Sequence, residues 1–330
     1  MPVSVAVETP FHPLLGHTLT GSGLPPEGYP RRIVYHATLL IAAGIALAFC
    51  HPGNEEAKRL RAGCEAGEIE ACNQLAGRFQ RGEYVLRDEP RAAGLFERAC
   101  QGGVGEGCAS LGLMYQRARG VERDSTRAVE LLRRGCDLGA MEGCTSLGVL
   151  YRGGAGVPQD PERAAGLFRQ GCEGGQMTGC AQLGTLQAAG EGVEQDFALA
   201  ADLFQRACAD SVGLGCLGMG RLHAEGTGAP QSDSTAATFF EKACDTGEVA
   251  GCFHLGALHE AGRGVAPDFQ LAARLYREAC SARHGEACFR LAAMYERGAG
   301  VWRQPDRAAE FTRQACEYGY AGACPTPEGS

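Results

Sequence analysis

Apolar and polar positions along this chain alternate between two helical patterns. The first places small or apolar residues at spacings i, i+3, i+4 and i+7, as in Cys108, Leu111, Gly112 and Tyr115. The second begins with an aspartate suited to capping a helix N-terminus and again keeps its apolar residues on one face, as in Asp124, Ala128, Leu131, Leu132 and Gly135. Both spacings predict amphipathic α-helices.

A glycine-rich turn separates the two patterns. It reads Gly-x-Gly-Val at residues 154–157, 190–193, 262–265 and 298–301. Because glycine adopts positive φ without steric cost, each turn can end a helix and reverse the chain. The combined unit is therefore predicted to be an αα-hairpin, in which we call the first helix A and the second helix B.

The hairpin unit repeats with a fixed period. The cysteines that end each B pattern are 36 residues apart, from Cys64 to Cys316, and each has a partner eight positions later. Such a period is typical of a solenoid, because one unit cannot bury its apolar face alone and must stack on its neighbours. The predicted fold is all-α, an α-solenoid of seven hairpins over residues 54–324, entered by a half-unit helix at Asn54 to Cys64.

Small residues recur inside the predicted helices. Glycine occupies the middle of the A pattern, as at Gly112, Gly148 and Gly184, and alanine recurs in the B pattern, as at Ala128 and Ala164. Glycine within a helix is unfavourable relative to alanine. We therefore expect neighbouring backbones to approach closely at these positions.

The regular cysteines can pair in two ways. Each Cys-x7-Cys unit spans the end of a B helix, a short turn and the start of the next A helix, which is a reasonable geometry for a bridge. Pairing across one hairpin, such as Cys72 with Cys100, is also conceivable but leaves Cys64 and Cys324 without partners. Parity therefore favours eight local disulfides: Cys64–Cys72, Cys100–Cys108, Cys136–Cys144, Cys172–Cys180, Cys208–Cys216, Cys244–Cys252, Cys280–Cys288 and Cys316–Cys324.

Composition narrows the classes of partner. The 330-residue chain has a net charge of −8 and only two lysines, Lys58 and Lys242. Nucleic acid is not an expected partner, because phosphate binding needs clustered cations. No CxxC spacing occurs, so a structural zinc site lacks its usual arrangement, and neither a metal nor a cofactor is predicted.

Eight disulfides would require an oxidising compartment, so we expect a periplasmic or secreted protein. Residues 31–50 fit an export segment, because two arginines precede an apolar run from about Leu39 to Phe49. The run is short for a membrane span. It is predicted to be a signal peptide or a membrane anchor, and any membrane contact is expected through this segment alone.

Three further predictions concern the ends of the chain. Cys50 lies outside the repeat and is a candidate for lipidation, as an alternative to cleavage before Phe49. Residues 1–30 are rich in proline and glycine and are expected to be a disordered extension. Residues 325–330 are expected to be a short tail.

The motifs found so far resemble Sel1-like repeats. They are Cys-x-x-Leu-Gly-x-x-Tyr at Cys144 to Tyr151, the turn from Gly154 to Asp160 and the B-helix run from Arg163 to Cys172. With both cysteines in each unit, residues 55–324 are most similar to the cysteine-rich protein group of Helicobacter. Departures occur in the first turn, which lacks the glycines, and at the aromatic site, which carries Gln187, His223 and His259.

This resemblance implies an exported solenoid and two functional expectations. Sel1 and tetratricopeptide-type solenoids generally act as adaptors, which implies a non-catalytic scaffold that binds a protein or peptide partner. Members of the Helicobacter group have been described as penicillin-binding proteins with weak β-lactamase activity, which implies a hydrolase with a peptidoglycan-related ligand as the alternative.

No catalytic residue is predicted. A serine β-lactamase needs Ser-x-x-Lys and Lys-Thr-Gly, but Phe239 stands three positions before Lys242 and Glu55 three before Lys58. His254 and His259 are five apart and miss a shared helical face, so core or groove roles are favoured over zinc ligation.

The A helices carry the candidate binding residues. In solenoids of this class these helices usually line the concave surface, and the residue after the A-helix cysteine becomes large and apolar at Leu217, Phe253 and Phe289. We expect these three to form a strip that binds an extended peptide, helped by Arg221, Arg290 and Glu296. The alternative is that the three apolar side chains pack between hairpins.

Overall fold

The computed structural model describes residues 52–324, all of them in or between helices. The export segment 31–50 with Cys50, the extension 1–30 and the tail 325–330 lie outside the described residues, so those expectations remain predictions. Within the described range no helix is long and apolar enough to cross a membrane.

Fifteen α-helices and one short 3-10 helix make up the described part, which contains no strand. The α-helices are α1 Pro52–Glu65, α2 Ile69–Arg81, α3 Glu89–Gln101, α4 Gly105–Arg117, α5 Ser125–Asp137, α6 Met141–Gly153, α7 Pro161–Glu173, α8 Met177–Ala189, α9 Phe197–Ala209, α10 Gly213–Glu225, α11 Asp233–Asp245, α12 Val249–Ala261, α13 Phe269–Ser281, α14 Gly285–Arg297 and α15 Pro305–Glu317. The 3-10 helix is Ala321–Ala323. Helices α2 to α15 form hairpins 1 to 7, A then B, and confirm the predicted α-solenoid.

Local signals begin and end these helices. Six of the seven hairpin B helices start at a side chain that accepts a hydrogen bond from the backbone three residues on, as Asp160 does from Arg163 N at 2.9 Å. A residue in the left-handed region ends each A helix, such as Gly154 at φ 68°. The second turn glycine also permits close approach, because a Cβ on Gly156 would lie 2.6 Å from Ser125 O of the preceding B helix.

Small residues let the two helices of one hairpin approach closely, as the sequence predicts. A Cβ on Gly148 would lie 2.7 Å from the ring of Phe168 on the paired B helix, and Ala164 beside it is fully buried. Substituents there would push α6 and α7 apart.

The hairpins stack through both helices of each pair. Each B helix packs on the A helix that follows it, and neighbouring A helices also pack on each other at α4 with α6, α8 with α10 and α10 with α12. No two B helices pack to that extent among the described residues. The A helices therefore form the more crowded layer of the stack.

Each junction between hairpins carries a disulfide. The eight described pairs join the cysteines eight residues apart, with Cα atoms separated by 4.5 to 4.8 Å. The bridge ties the end of one B helix, such as α7 at Cys172, to the start of the next A helix, α8 at Cys180. The alternative of pairing across a hairpin does not occur among the described residues.

An arginine clamps an aromatic ring in four of the hairpins. The guanidinium of a B-helix arginine lies 4.7 to 5.8 Å from the ring centre of an A-helix aromatic residue in the pairs Arg91–Phe79, Arg127–Tyr115, Arg163–Tyr151 and Arg307–Tyr295. These pairs belong to hairpins 1, 2, 3 and 7. Each adds a cation–π contact to the apolar packing of its hairpin.

Candidate functional site

The six predicted binding residues lie in three separate places. Leu217 on α10 and Phe253 on α12 are buried, with 9% and 7% of their surface exposed, and Phe289 on α14 is half-buried. These apolar side chains pack largely between hairpins, so they do not form a continuous exposed strip. Arg221, Arg290 and Glu296 are exposed on the same helices, where they can reach a ligand.

A cavity of about 160 Å³ brings Leu217 and Arg221 together. It lies between α8, α9 and α10, and its lining is mostly apolar. Phe197, Phe204 and Leu217 supply the large apolar side chains, and Thr185, Arg221 and Glu225 supply the polar groups of the lining. This volume is enough for one apolar side chain of a bound peptide.

Small residues in register create this cavity. Ala188 stands eight positions after its A-helix cysteine, where α10 also has an alanine but the five remaining A helices carry Gln80, Gln116, Arg152, Glu260 and Glu296. Gly218 stands two positions after its cysteine, where the others have side chains, and a Cβ there would lie 2.5 Å from the Phe204 ring. The signal is visible in the sequence only when the seven hairpins are aligned position by position.

Arg221 and Glu225 form an exposed ion pair beside the cavity. The guanidinium Nε of Arg221 lies 3.7 Å from Glu225 Oε1 one helical turn away. An exposed pair of this kind is weakly held. Either group can therefore exchange its partner for a charge on a ligand at little cost.

Phe253 belongs to a cluster of aromatic and histidine rings. Its ring stacks on His284 at 4.6 Å between centroids and meets His254 edge-on at 5.3 Å, and His254 stacks in turn on Phe240. Burial, with smaller contributions from Arg221 and His284, lowers the pKa of His254 to about 4. His254 is therefore neutral at physiological pH and acts as a packed aromatic ring.

A second, polar surface lies on the A helices of the first hairpins. A cavity of about 350 Å³ is lined there by arginines and polar side chains, including Arg81, Ser110 and Arg117. Arg81 and Arg117 are exposed. Arg81 is already paired with Glu83, and Glu142 also lines this cavity, so the surface at hairpins 1 and 2 is polar with mixed charge, whereas the apolar cavity lies at hairpins 4 and 5.

Phe289 and Glu296 line a larger groove at the last hairpin. The groove has a volume of about 630 Å³ and lies along α14 and α15. Arg290 stands on α14 beside it and pairs with Glu286 at 3.5 Å. This groove is separated from the α8–α10 cavity by α11 and hairpin 6.

The residues considered for chemistry are engaged in structural contacts. Lys58 pairs with Glu55, and the ammonium of Lys242 lies over the Phe239 ring. Nδ1 of His223 and of His259 lies within hydrogen-bond distance of a turn carbonyl, at 3.0 and 3.2 Å. The cluster Cys244, Cys252 and Glu278 has a metal-like spacing, but its sulfur atoms form a disulfide and therefore offer no thiolate.

Comparison with known proteins identifies the repeat. The Sel1 repeat profile matches seven segments: residues 69–104, 105–139, 142–176, 178–211, 213–247, 249–284 and 285–320. Each matched segment begins at or close to the start of an A helix, so the profile follows the hairpins. Among curated proteins, none matches the sequence.

Three solved structures are similar to this chain. A protective antigen of uropathogenic Escherichia coli with an SLR fold is 27% identical over 81% of this chain, with a TM-score of 0.62, and the chain spans 57% of its length. A Sel1 repeat protein from Oxalobacter formigenes is 22% identical over 90% of this chain and 88% of its own, with a TM-score of 0.61. Cysteine-rich protein B of Helicobacter pylori is 26% identical over 39% of this chain and 93% of its own, with a TM-score of 0.33.

Proposed function

Because the chain belongs to the Sel1 repeat family, we propose that it is a non-catalytic scaffold that binds a protein partner along its A-helix layer. The bound segment is an extended peptide that places one apolar side chain in the cavity between α8, α9 and α10. The observation that carries the proposal is this cavity, because it combines an apolar lining with an exposed ion pair.

The polarity of the A-helix layer suggests the chemistry of the rest of the peptide. Arg117 is exposed at the polar cavity of hairpins 1 and 2, whose lining also carries Glu142 and the Glu83-paired Arg81, so a polar stretch of the partner is favoured there. The apolar anchor lies two to three hairpins further along the stack. The proposed ligand is therefore a segment with an aliphatic or aromatic residue and a separate polar stretch.

Eight disulfides indicate an oxidising, extracytoplasmic environment. We extend the proposal to a periplasmic or secreted protein whose partner belongs to the cell envelope. Processing or lipidation near Cys50 is part of that proposal.

Selection of peptides on the oxidised full chain tests the scaffold function. A random peptide library displayed on phage is the probe, and the selected peptides are then measured one by one. We expect a shared apolar position, and we expect Ala188→Gln, which fills the cavity, to weaken binding by about tenfold, since a displaced apolar contact is worth about 1.4 kcal/mol.

Ala224→Gln is the matched control, because Ala224 holds the same position in α10 but does not line the cavity. Gln80 and Gln116 stand at this position in α2 and α4, so the backbone accepts the substitution. Equal affinity for the wild-type protein and Ala188→Gln would refute the cavity as the anchor site. Failure to select any peptide would count against the scaffold itself.

A further inference from the structure

Within residues 52–324, hairpin 7 is followed by a short 3-10 helix where an eighth A helix would begin. Each A helix begins five residues after the first cysteine of its pair, as Gly285 follows Cys280. The same position after Cys316 is Ala321, where the 3-10 helix Ala321–Ala323 begins. This helix stops after one turn, because Cys324 is extended at φ −78° and ψ 138° and precedes Pro325, which disfavours a helical conformation in the residue before it.

Among the described residues, no eighth A helix covers the groove along α14 and α15. We call this the terminal groove, and its lining includes Phe289, Ala293, Glu296, Ala309, Thr312 and Ala323. In hairpin 6 the corresponding face of α13 is covered by α14. The terminal groove therefore continues an interface that the fold builds between every pair of neighbouring hairpins.

Two positions show that the terminal groove is uncovered and roomy. Ala309 is exposed, whereas Ala93, Ala165 and Ala273 are buried at the same position of other B helices. Thr312 stands where the other hairpins carry a large buried residue: Phe96, Leu132, Phe168, Phe204, Phe240 and Tyr276. The smaller threonine leaves space for a side chain supplied from outside.

A charged group at the rim indicates the polarity of the occupant. Arg297, in the last turn of α14, donates to Glu260 on α12 with an Nη2 to Oε1 distance of 3.1 Å. Glu296 holds on α14 the position that Glu260 holds on α12, and it is exposed at the rim of the groove. Glu296 forms only a loose, exposed pair with Arg303 at 3.7 Å, so a basic residue in the last turn of an occupying helix could take the place of Arg303.

The other end of the stack does not complement this groove. The exposed residues of α1 are mostly charged and include Glu55, Glu56, Lys58 and Arg59. Charged terminal faces prevent stacking in repeat proteins, because charge burial without partners is costly. A second copy stacked head to tail is therefore disfavoured as the occupant.

We propose that the terminal groove binds one amphipathic helix of a partner protein, which completes the eighth A position. This helix carries apolar and small residues spaced three and four apart and a basic residue in its last turn. The site is distinct from the α8–α10 cavity, so a partner can engage both.

A peptide with the sequence of residues 285–298 and the change Cys288→Ala is the probe, because α14 has the required pattern. Its fluorescence anisotropy is titrated against the oxidised full chain. We expect saturable binding, and a loss of about tenfold in affinity with Ala309→Glu, because a charge would be placed in the apolar groove. Ala309 is exposed, so this variant keeps the fold, and Ala62→Glu on α1 is the matched control, which should bind as the wild-type protein does.

A charge exchange tests the register. Glu296→Lys should weaken binding of the probe. A probe that carries Arg297→Glu should bind the Glu296→Lys protein more tightly than it binds the wild-type protein. Absence of binding, equal binding by Ala309→Glu, or no recovery in the exchange would each overturn the proposal.

Two other occupants would also overturn it. If the full chain dimerises in sedimentation and Ala309→Glu abolishes the dimer, the occupant is a second copy. If removal of residues 325–330 increases affinity for the probe by more than about tenfold, the chain's own tail fills the groove.

Discussion

The two helices of a hairpin make a different contact near the turn in hairpins 1, 2, 3 and 7 than in hairpins 4, 5 and 6. In the first group a B-helix arginine lies over an A-helix aromatic ring. In the second group both members of the pair, which are 12 residues apart, are replaced together: Gln187 with Leu199, His223 with Thr235 and His259 with Leu271. The paired replacement indicates that ring and arginine stabilise the hairpin as a unit.

The central hairpins also carry groups that oppose their stability. Oε1 of the buried Gln187 has no hydrogen-bond partner among the described residues, and Leu199 is 41% exposed. The α8–α10 cavity and the half-buried His254 lie in the same three hairpins. Unpaired buried oxygens also occur in hairpins 1 and 3, at Asn73 and Thr145. The expected difference therefore comes from the α8–α10 cavity and the missing cation–π pairs, which should make the region proposed to bind a partner the less stable part of the stack.

Low pH should produce the largest difference in stability between hairpins 4 to 6 and the other hairpins. The folded pKa of His254 is about 4, below the ordinary value of 6.5, so the unfolded state binds a proton first as the pH falls. The free energy of unfolding is therefore unaffected by His254 above about pH 6.5. As the pH falls from 6.5 towards 4, protonation of His254 in the unfolded state lowers this free energy by about 3 kcal/mol at most. Hydrogen exchange at pH 7 and pH 4.5, expressed as opening free energies, should show α12 and α13 losing protection before α2 to α7.

His254→Phe is the control for this acid effect. Phenylalanine preserves a ring beside Phe240 and Phe253 but cannot bind a proton. The differential loss between pH 6.5 and 4 should become smaller in this variant, and the remainder should come from His284, whose pKa is also lowered by burial. Loss of protection in hairpins 1 to 3 first would contradict the comparison.

Transfer of the central pair into an outer hairpin should lower stability by a smaller amount. Tyr151→Gln with Arg163→Leu removes the cation–π contact and the hydrogen bond that Arg133 donates to the Tyr151 hydroxyl at 3.0 Å. We expect the opening free energy of α6 and α7 to fall by about 2 kcal/mol. Arg163→Leu alone should have a smaller effect. An unchanged opening free energy in the double variant would show that the arginine–aromatic pair does not contribute to stability.

The reverse transfer should stabilise a central hairpin slightly. Gln187→Tyr with Leu199→Arg replaces a buried amide that lacks a partner with a clamped ring. We expect a gain of up to about 1 kcal/mol in the opening free energy of α8 and α9. A loss would mean that the backbone spacing of hairpin 4 cannot hold the clamp.

The smallest expected difference between the two groups of hairpins is in the pKa of one buried tyrosine from each group. Burial alone would raise the pKa of Tyr295 in hairpin 7, but hydrogen bonds from Arg307 and Arg277 outweigh it and lower the pKa. In hairpin 6, burial and the hydrogen bond to Glu260 raise the pKa of Tyr276. Ultraviolet difference spectra should therefore show an early phenolate transition that Tyr295→Phe removes and Tyr276→Phe leaves in place.

The sequence predicts features that depend on neighbouring residues. Period, helix caps, turn glycines and disulfide pairs are set within one unit or one junction, and each repeats often enough to stand out. The close approach at Gly148 could be inferred for the same reason. Local constraints of this kind do not require knowledge of how the hairpins tilt against each other.

Features that depend on several helices at once were harder to predict. Leu217 and Phe253 look like surface candidates on one helix, but the adjoining hairpins cover most of their surface. The α8–α10 cavity arises from small residues on different helices, such as Ala188 and Gly218, and none of them is unusual alone. Thr312 likewise is recognised as unusually small only when it is compared with the large residues at the same position of the other hairpins.

The position of the disulfides determines how the chain would respond to a pulling force. Each bridge joins cysteines eight residues apart across a junction, so tension passes through the sulfur atoms and bypasses the seven residues between them. Helices can unravel under load, but each bridged loop withholds about 25 Å of contour length until it is reduced. An oxidised chain is thus a shorter tether than its reduced form, and a reductant would lengthen it in discrete steps.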